Sequence, residues 1–251
     1  MVIAVKTADY LEAIDAHGNA LASAAAEAGL DAAVATCPGW QVRDLLGHIG
    51  QVHRWAASFV HEARTDPPKG DSELADVPSD DELLDWYVAG HAALLGTLRN
   101  SRPDVECWTF LPAPSPLKFW LRRQAHETAV HRADADSAVA NAPSFDPKFA
   151  VDGIDELLLG FMSRPRGRLV SDPPVSLAVR ATDADTDWTI HIGPSGREVT
   201  RGVARGDCIV EAPASDLYLL LWNRRTADGL KVAGDAKVLD LWRSKATVSW
   251  R

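Results

Sequence analysis

Two short segments carry the residue types that could hold a metal ion. In Ala125-His126-Glu127-Thr128-Ala129-Val130-His131, a carboxylate and an imidazole stand four residues apart. On a helix that spacing stacks Glu127 and His131 one turn apart on one face, where the pair can grip a single ion. The other segment holds His48, three residues after Leu45 and four before Val52. It therefore shares the apolar stripe Leu45, Ile49, Val52, Trp55, Ala56, Phe59 of a helix with a period near 3.6. An imidazole on such a stripe needs a hydrogen-bond partner or a metal, because an unpaired buried polar group costs roughly 1–3 kcal/mol. Together the three make a two-histidine, one-carboxylate set. Three protein ligands leave coordination positions open, the pattern of a catalytic zinc site rather than a structural one. Nickel, iron and manganese also suit these donors. His126 and His53 each sit five residues from a member of the set, about 140° around a helix, and are excluded as ligands. His17, His61, His91 and His191 read as ordinary surface or core residues. The spacing alone leaves two other readings: an exposed Glu–His pair worth a few tenths of a kcal/mol, and a core histidine with a polar partner.

The first half of the chain has the pattern needed to bring these segments together. Residues 6–29 are rich in alanine and leucine and stop at Gly29, a C-cap type. Cys37-Pro38-Gly39-Trp40 is a turn, and a proline-free helix is expected from Gln41 to about Ala63. Residues 65–80 read as loop. Ser79 with Glu82 has the spacing of a capping box and opens a helix to about Arg99. A loop with Pro103, Pro112 and Pro114 follows, and then Ser115-Pro116 supplies an N-cap and first-turn proline for a helix to about Ala140. Four long helices so connected suit an antiparallel bundle. Asn141 to Pro147 reads as a boundary, which divides the chain into 1–145 and 146–251. Beyond it a short helix is expected over 149–162, then a basic, proline-rich loop over 163–174. The period next changes to two, in Val175–Arg180 and Trp188–Ile192, with a turn at Pro194-Ser195-Gly196. Two further strands are expected between Val199 and Val210, and helices over Asp216–Arg225 and Val238–Arg243. The fold class is thus α+β in two domains, a four-helix bundle followed by a small α+β domain.

Bulk properties narrow the function classes. The chain has 251 residues, 46% of them hydrophobic, and a net charge of −9. The composition is that of a globular protein with a core of normal size, and the negative field argues against nucleic acid as a partner. Cys37, Cys107 and Cys208 are odd in number and form no CxxC pair. That excludes a disulfide framework or thiolate zinc finger, and favours a reducing cytoplasm with buried cysteines. The opening MVIAVKTADY lacks the pattern of a signal peptide, and no apolar run is long enough to span a bilayer. Nine tryptophans are many for this length, and some are expected to line a pocket.

Several motifs resemble one known family. Cys37-Pro-Gly-Trp-Gln-Val-Arg-Asp-Leu-Leu-Gly-His48, followed by His53-Arg-Trp55, resembles the N-terminal domain of the mycothiol-dependent maleylpyruvate isomerase family. Ala125–Asp134 resembles its second motif. Asp216-Leu-Tyr-Leu-Leu-Leu-Trp-Asn-Arg224 and Val232-Ala-Gly-Asp235 resemble its C-terminal domain. The likeness runs over nearly the whole chain, in order. It implies a DinB-like four-helix bundle with a metal, usually zinc, held by a histidine of the second helix and a Glu-x-x-x-His of the fourth. Those positions fall on His48, Glu127 and His131. It also implies an SCP2-like α+β C-terminal domain with a functional arginine after the leucine-rich helix, carried here onto Arg224, with Arg225 beside it.

The resemblance implies mycothiol, a low-molecular-weight thiol, as cosubstrate. A free thiol is mostly protonated near neutral pH, and its thiolate is the nucleophile; an open-sited zinc favours the thiolate. Gln124 and Asp134 are candidates to orient the ligands, or are ordinary polar residues of the helix. Two outcomes follow for a small electrophilic substrate. In one the thiol adds, the adduct rotates and the thiol leaves, as in isomerisation of maleylpyruvate, with Arg224 holding a carboxylate or stabilising the enolate. In the other the conjugate is the product, as in an S-transferase. A third reading, from another class, is a metal- or thiol-binding interaction module without turnover. Either a monomer or a homodimer fits the sequence.

Overall fold

The computed structural model describes residues 5–70, 74–164, 167–202 and 205–248. The first four residues of MVIAVKTADY, parts of the loops expected over 65–80 and 163–174, and part of the two strands expected between Val199 and Val210 lie outside that set. The chain divides into two compact units, Val2–Pro143 and Ser144–Arg251.

The first unit is a bundle of the four helices expected, α1 (Thr7–Ala28), α2 (Val42–His61), α3 (Asp80–Asn100) and α4 (Pro116–Ala138), but not every neighbouring pair is antiparallel as the connections suggested. Ser115 caps α4 by accepting a bond from the Lys118 amide at 3.3 Å, with Pro116 in the first turn. Ser79 is the N-cap of α3, but no side-chain capping bond forms there, so the capping box read from the sequence is not made. The helix directions follow from which residues meet. Tyr10 lies against His126 and His17 against Arg132, so α1 and α4 run parallel. Arg43 pairs with Asp80 and Arg54 reaches the Trp86 carbonyl, so α2 and α3 also run parallel. His53 bonds Thr128 while Phe59 stacks on Trp120, so α2 runs against α4. A 20-residue helix such as α2 spans about 30 Å. Two parallel neighbours therefore need a connection that returns the whole length. The proline-rich segment after α2 does this: Gln51 donates to the Ala75 carbonyl and Val77 lies against Gly47, as the chain runs back along α2.

The core of this unit is apolar at Leu21, Leu45, Leu46, Ile49, Leu83 and Tyr87. Helix α4 is different. From Arg123 to Asp136 nearly every residue is buried, six of them ionisable or histidine: Arg123, His126, Glu127, His131, Asp134 and Asp136. Polar groups at that depth must be paired or hold ions.

The second unit begins with α5 (Pro147–Asp155), which widens into a π-helical stretch over Glu156–Phe161. The sheet follows, with β1 (Val175–Ala181), β2 (Thr186–Gly193), β3 (Gly196–Arg201), β4 (Cys208–Ala212) and β5 (Lys231–Gly234) in the order β3-β2-β1-β4-β5. Only the β1–β4 pair is parallel. Register puts Leu177, Val179, Ile190, Trp188, Cys208 and Val210 on one buried face. The other face carries Arg180, Glu211 and Lys231 in mutual ion pairs. A sheet with one apolar face needs one covering layer, which α5, α6 (Ala214–Leu221) and α7 (Ala236–Lys245) supply. The helix expected to reach Arg225 stops at Leu221, because Asn223 takes a left-handed φ of 60° and turns the chain. Strand β5 was not expected; four residues ending in glycine carry too little alternation to register as a strand.

Candidate metal centre

His48, Glu127 and His131 come together as the sequence expected. One donor atom from each lies within 4.8 Å of the others. His131 Nε2 is 3.3 Å from Glu127 Oε1, and His48 Nε2 is 3.8 Å from the same oxygen. Around a tetrahedral zinc with bonds of about 2.0–2.1 Å, neighbouring ligand atoms stand about 3.3–3.4 Å apart. The spacing therefore suits three ligands of one small ion. Among the described residues no other group of histidines, cysteines and carboxylates has it.

The surrounding groups fix which atoms of His131 and Glu127 face the centre. His131 Nδ1 is 2.8 Å from Asp134 Oδ2, so a proton on Nδ1 is held there and Nε2 is the nitrogen turned toward the centre. Asp134 is in turn fixed by Thr36 Oγ1 at 2.5 Å, and is fully buried. Glu127 Oε2 accepts from Arg123 at 2.9 Å. Its other oxygen, Oε1, is buried and faces only the imidazole nitrogens of His131 and His48 among the described residues. A cation between this oxygen and the two imidazole nitrogens could take all three as donors. The donor set thus fits a divalent ion.

Electrostatics agree with that placement. Burial by itself would raise the pKa of the Glu127 carboxyl, but the Arg123 guanidinium and the His131 imidazole hold it well below the usual range. Burial also works against a cationic His131, yet the Asp134 and Glu127 carboxylates raise it to about 9. The field at Nε2 therefore favours positive charge.

His48 departs from the expectation of a buried residue. Its side chain is 30% exposed, with its ring 5.2 Å from the Trp40 indole in an edge-on contact. Partial exposure suits a ligand at the mouth of an open site. The Cys37-Pro-Gly-Trp40 turn shapes the site in two ways. Gly39 at φ 89° lets the chain reverse, which aims Trp40 at His48, while neighbouring Thr36 reaches Asp134. Cys37 is half-buried rather than buried, while Cys107 and Cys208 are buried as expected.

The excluded histidines lie elsewhere. His53 bonds Thr128 at 3.0 Å and His126 lies against Tyr10. His91 bonds the Ile14 carbonyl and His17 contacts Arg132; His61 and His191 are exposed. Of the two orienting candidates, Asp134 bonds His131. Gln124 is buried, but its side-chain oxygen has no hydrogen-bond partner. Arg123 was missed, although it stands four residues before Glu127, a legible ion-pair spacing. Thr36 had no local signal, since its contact spans 98 residues. Arg224 lies in the second unit just past α6, its guanidinium donating to the Trp222 carbonyl at 2.8 Å. Arg225 is held by Asp216 and by the carbonyls of Thr226 and Asp228.

Comparison with known proteins reaches the same family as the motifs. Two solved structures, both of mycothiol-dependent maleylpyruvate isomerase and one of them a histidine-to-alanine mutant, share the fold, with TM-scores of 0.65 and 0.64. Each aligns over 91% of this chain and 93% of its own length at 13% identity, a likeness of fold. No curated protein matches the sequence. Residues 11–136 match the family described as mycothiol maleylpyruvate isomerase N-terminal domain, and residues 148–241 match the MDMPI C-terminal domain. The chain belongs to the mycothiol maleylpyruvate isomerase family.

Proposed function

We propose that the protein is a metal-dependent enzyme that activates the thiol of mycothiol for attack on a small electrophile, with zinc held by His48, Glu127 and His131. The observation that carries this reading is a buried carboxylate oxygen of Glu127 standing 3.3 and 3.8 Å from the imidazole nitrogens of His131 and His48. Zinc bound there would supply Lewis acidity, lowering the pKa of a thiol that reached its open position. The chain's own groups set that chemistry up. Asp134 fixes the tautomer and orientation of His131. Arg123 occupies Glu127 Oε2, so the carboxylate offers one oxygen to the centre. His48, at the exposed edge, leaves room for an incoming sulfur. Two neutral imidazoles and one carboxylate leave net positive charge on a divalent centre, which favours an anionic sulfur.

Arg224 is proposed to hold a carboxylate of the substrate or to stabilise an enolate. Among the described residues no helix is long and apolar enough to cross a membrane, in keeping with the small-molecule partners and cytoplasmic location proposed. The test supplies mycothiol with maleylpyruvate. An isomerised product with mycothiol regenerated identifies an isomerase, and a stable conjugate an S-transferase. Glu127→Ala should lower metal content and turnover together. Activity that survives full loss of metal refutes the mechanism and moves the non-catalytic binding module into first place.

A further inference from the structure

The second unit contains a cavity of about 440 Å³ whose charge is opposite to that of the protein as a whole. Its apolar floor comes from Phe161 and Met162, at the end of the π-helical stretch, and from Leu169. Four cations line it: Arg164, Arg168, Arg197 and Lys245. None has a carboxylate partner among the described residues. In a chain with net charge −9, four unpaired cations around one hollow call for a counter-charge.

The sheet explains why Arg197 is aimed there. On β3, Arg197 pairs across with Ile192 and Val199 with Ile190, so Arg197 and Arg201 share the covered face of the sheet. Arg201 pairs with Asp155 at 3.4 Å, which is itself bonded by Trp188 Nε1. Arg197, four residues before it on the same face, has among the described residues only the Arg164 carbonyl at 3.1 Å, and its buried Nε has no partner there. Burial lowers its pKa, the sign of a charge removed from water without compensation. The chain passes over it at Gly167, where even a Cβ would fall 2.3 Å from the guanidinium. Two helix C-termini converge on this region, after Phe161 and at Lys245. Each supplies roughly half a negative charge, which leaves about three of the four positive charges uncompensated.

We infer that this hollow is a binding site for a small organic anion, a compact apolar body carrying two negative charges, held by Arg197 with Arg164, Arg168 and Lys245. The apolar floor takes the body and the guanidinium forks take carboxylate or phosphate oxygens. This site needs neither the metal nor the thiol chemistry.

Calorimetric titration of the metal-stripped full chain at low ionic strength separates this inference from the metal reading. Phthalate and phenyl phosphate are the probes, so a preference between them assigns carboxylate or phosphate. At least one should bind, with affinity falling as salt is raised. Arg197→Met, which keeps length and removes charge, should weaken binding about tenfold or more. Arg168→Met, at an exposed position that folding does not need, should also weaken it, whereas Lys118→Met in the bundle should leave it unchanged. No binding of either probe up to ~10 mM overturns the inference. So does an equal loss in all three variants, which would mark general attraction to basic surface.

Discussion

Replacing Asp134 by alanine should weaken metal binding about 10- to 100-fold while all three ligands remain in place. The carboxylate is fully buried, bonded to His131 Nδ1 at 2.8 Å and by Thr36 Oγ1 at 2.5 Å. Without it, nothing fixes the proton of His131 on Nδ1, so the imidazole divides its time between tautomers and loses its fixed aim. Its basicity toward an ion falls as well. The expected factor corresponds to about 1.4–2.7 kcal/mol of binding free energy. Competition with a chromophoric chelator measures it directly on wild type, Asp134→Ala and Asp134→Asn. The asparagine variant keeps an acceptor for one of these bonds and should fall between the others. Far-UV circular dichroism checks that the bundle is intact. Affinity within twofold of wild type in a folded Asp134→Ala protein would refute the view that this carboxylate orients the ligand.

Three further outcomes are expected. Arg123→Met should destabilise the metal-free protein by about 3–5 kcal/mol, because it strands the buried Glu127 carboxylate. Bound metal should offset part of that, so urea unfolding with and without metal would give unequal losses, and equal losses would count against shared neutralisation of Glu127. The metal-free protein should lose stability as pH falls from 6.5 toward 4. Burial is the largest cause that lowers His17 to about 4, and it holds His53 well below 6.5. The unfolded chain therefore binds protons in that window while the folded one does not, at up to ~1.4 kcal/mol per pH unit for each histidine. His17→Gln should flatten the slope, and an unchanged slope would contradict the assignment. Finally, Gly18→Ala should destabilise the bundle despite alanine's better helix propensity of about 1 kcal/mol. Its Cβ would fall 2.1 Å from His91 Nε2 and break that ring's bond to the Ile14 carbonyl, an overpacking cost of about 1–3 kcal/mol. A thermal midpoint above wild type would show that His91 moves aside freely.

How much of this was legible in the sequence depends on how local each signal is. Glu127 and His131 lie on one helix face at a fixed spacing, and His48 lies on an apolar stripe; periodicity reports both. The helices of the bundle and the change to alternating residues after Val175 are local in the same sense. What escaped depends on distance or direction. Thr36 reaches Asp134 only once α4 has packed beside the turn, with two whole helices intervening in the chain. Trp40 meets His48 only because a glycine reverses the chain. The parallel course of α2 and α3 is encoded in a loop whose length permits it without requiring it. Strand β5 exists because β4 offers an edge, not because four residues prefer to be extended. Ser79 and Glu82 had the letters of a capping box without its bonds, since the chain entering α3 is steered by its run along α2.

Elemental analysis of the protein purified without chelator or added metal, beside His48→Ala and the exposed-site control His61→Ala, tests the metal centre most directly. Wild type and His61→Ala should each carry about one equivalent of metal, and His48→Ala should carry almost none. Metal that is absent from wild type even after reconstitution, or that persists undiminished in His48→Ala, would contradict the assignment of His48, Glu127 and His131 as its ligands.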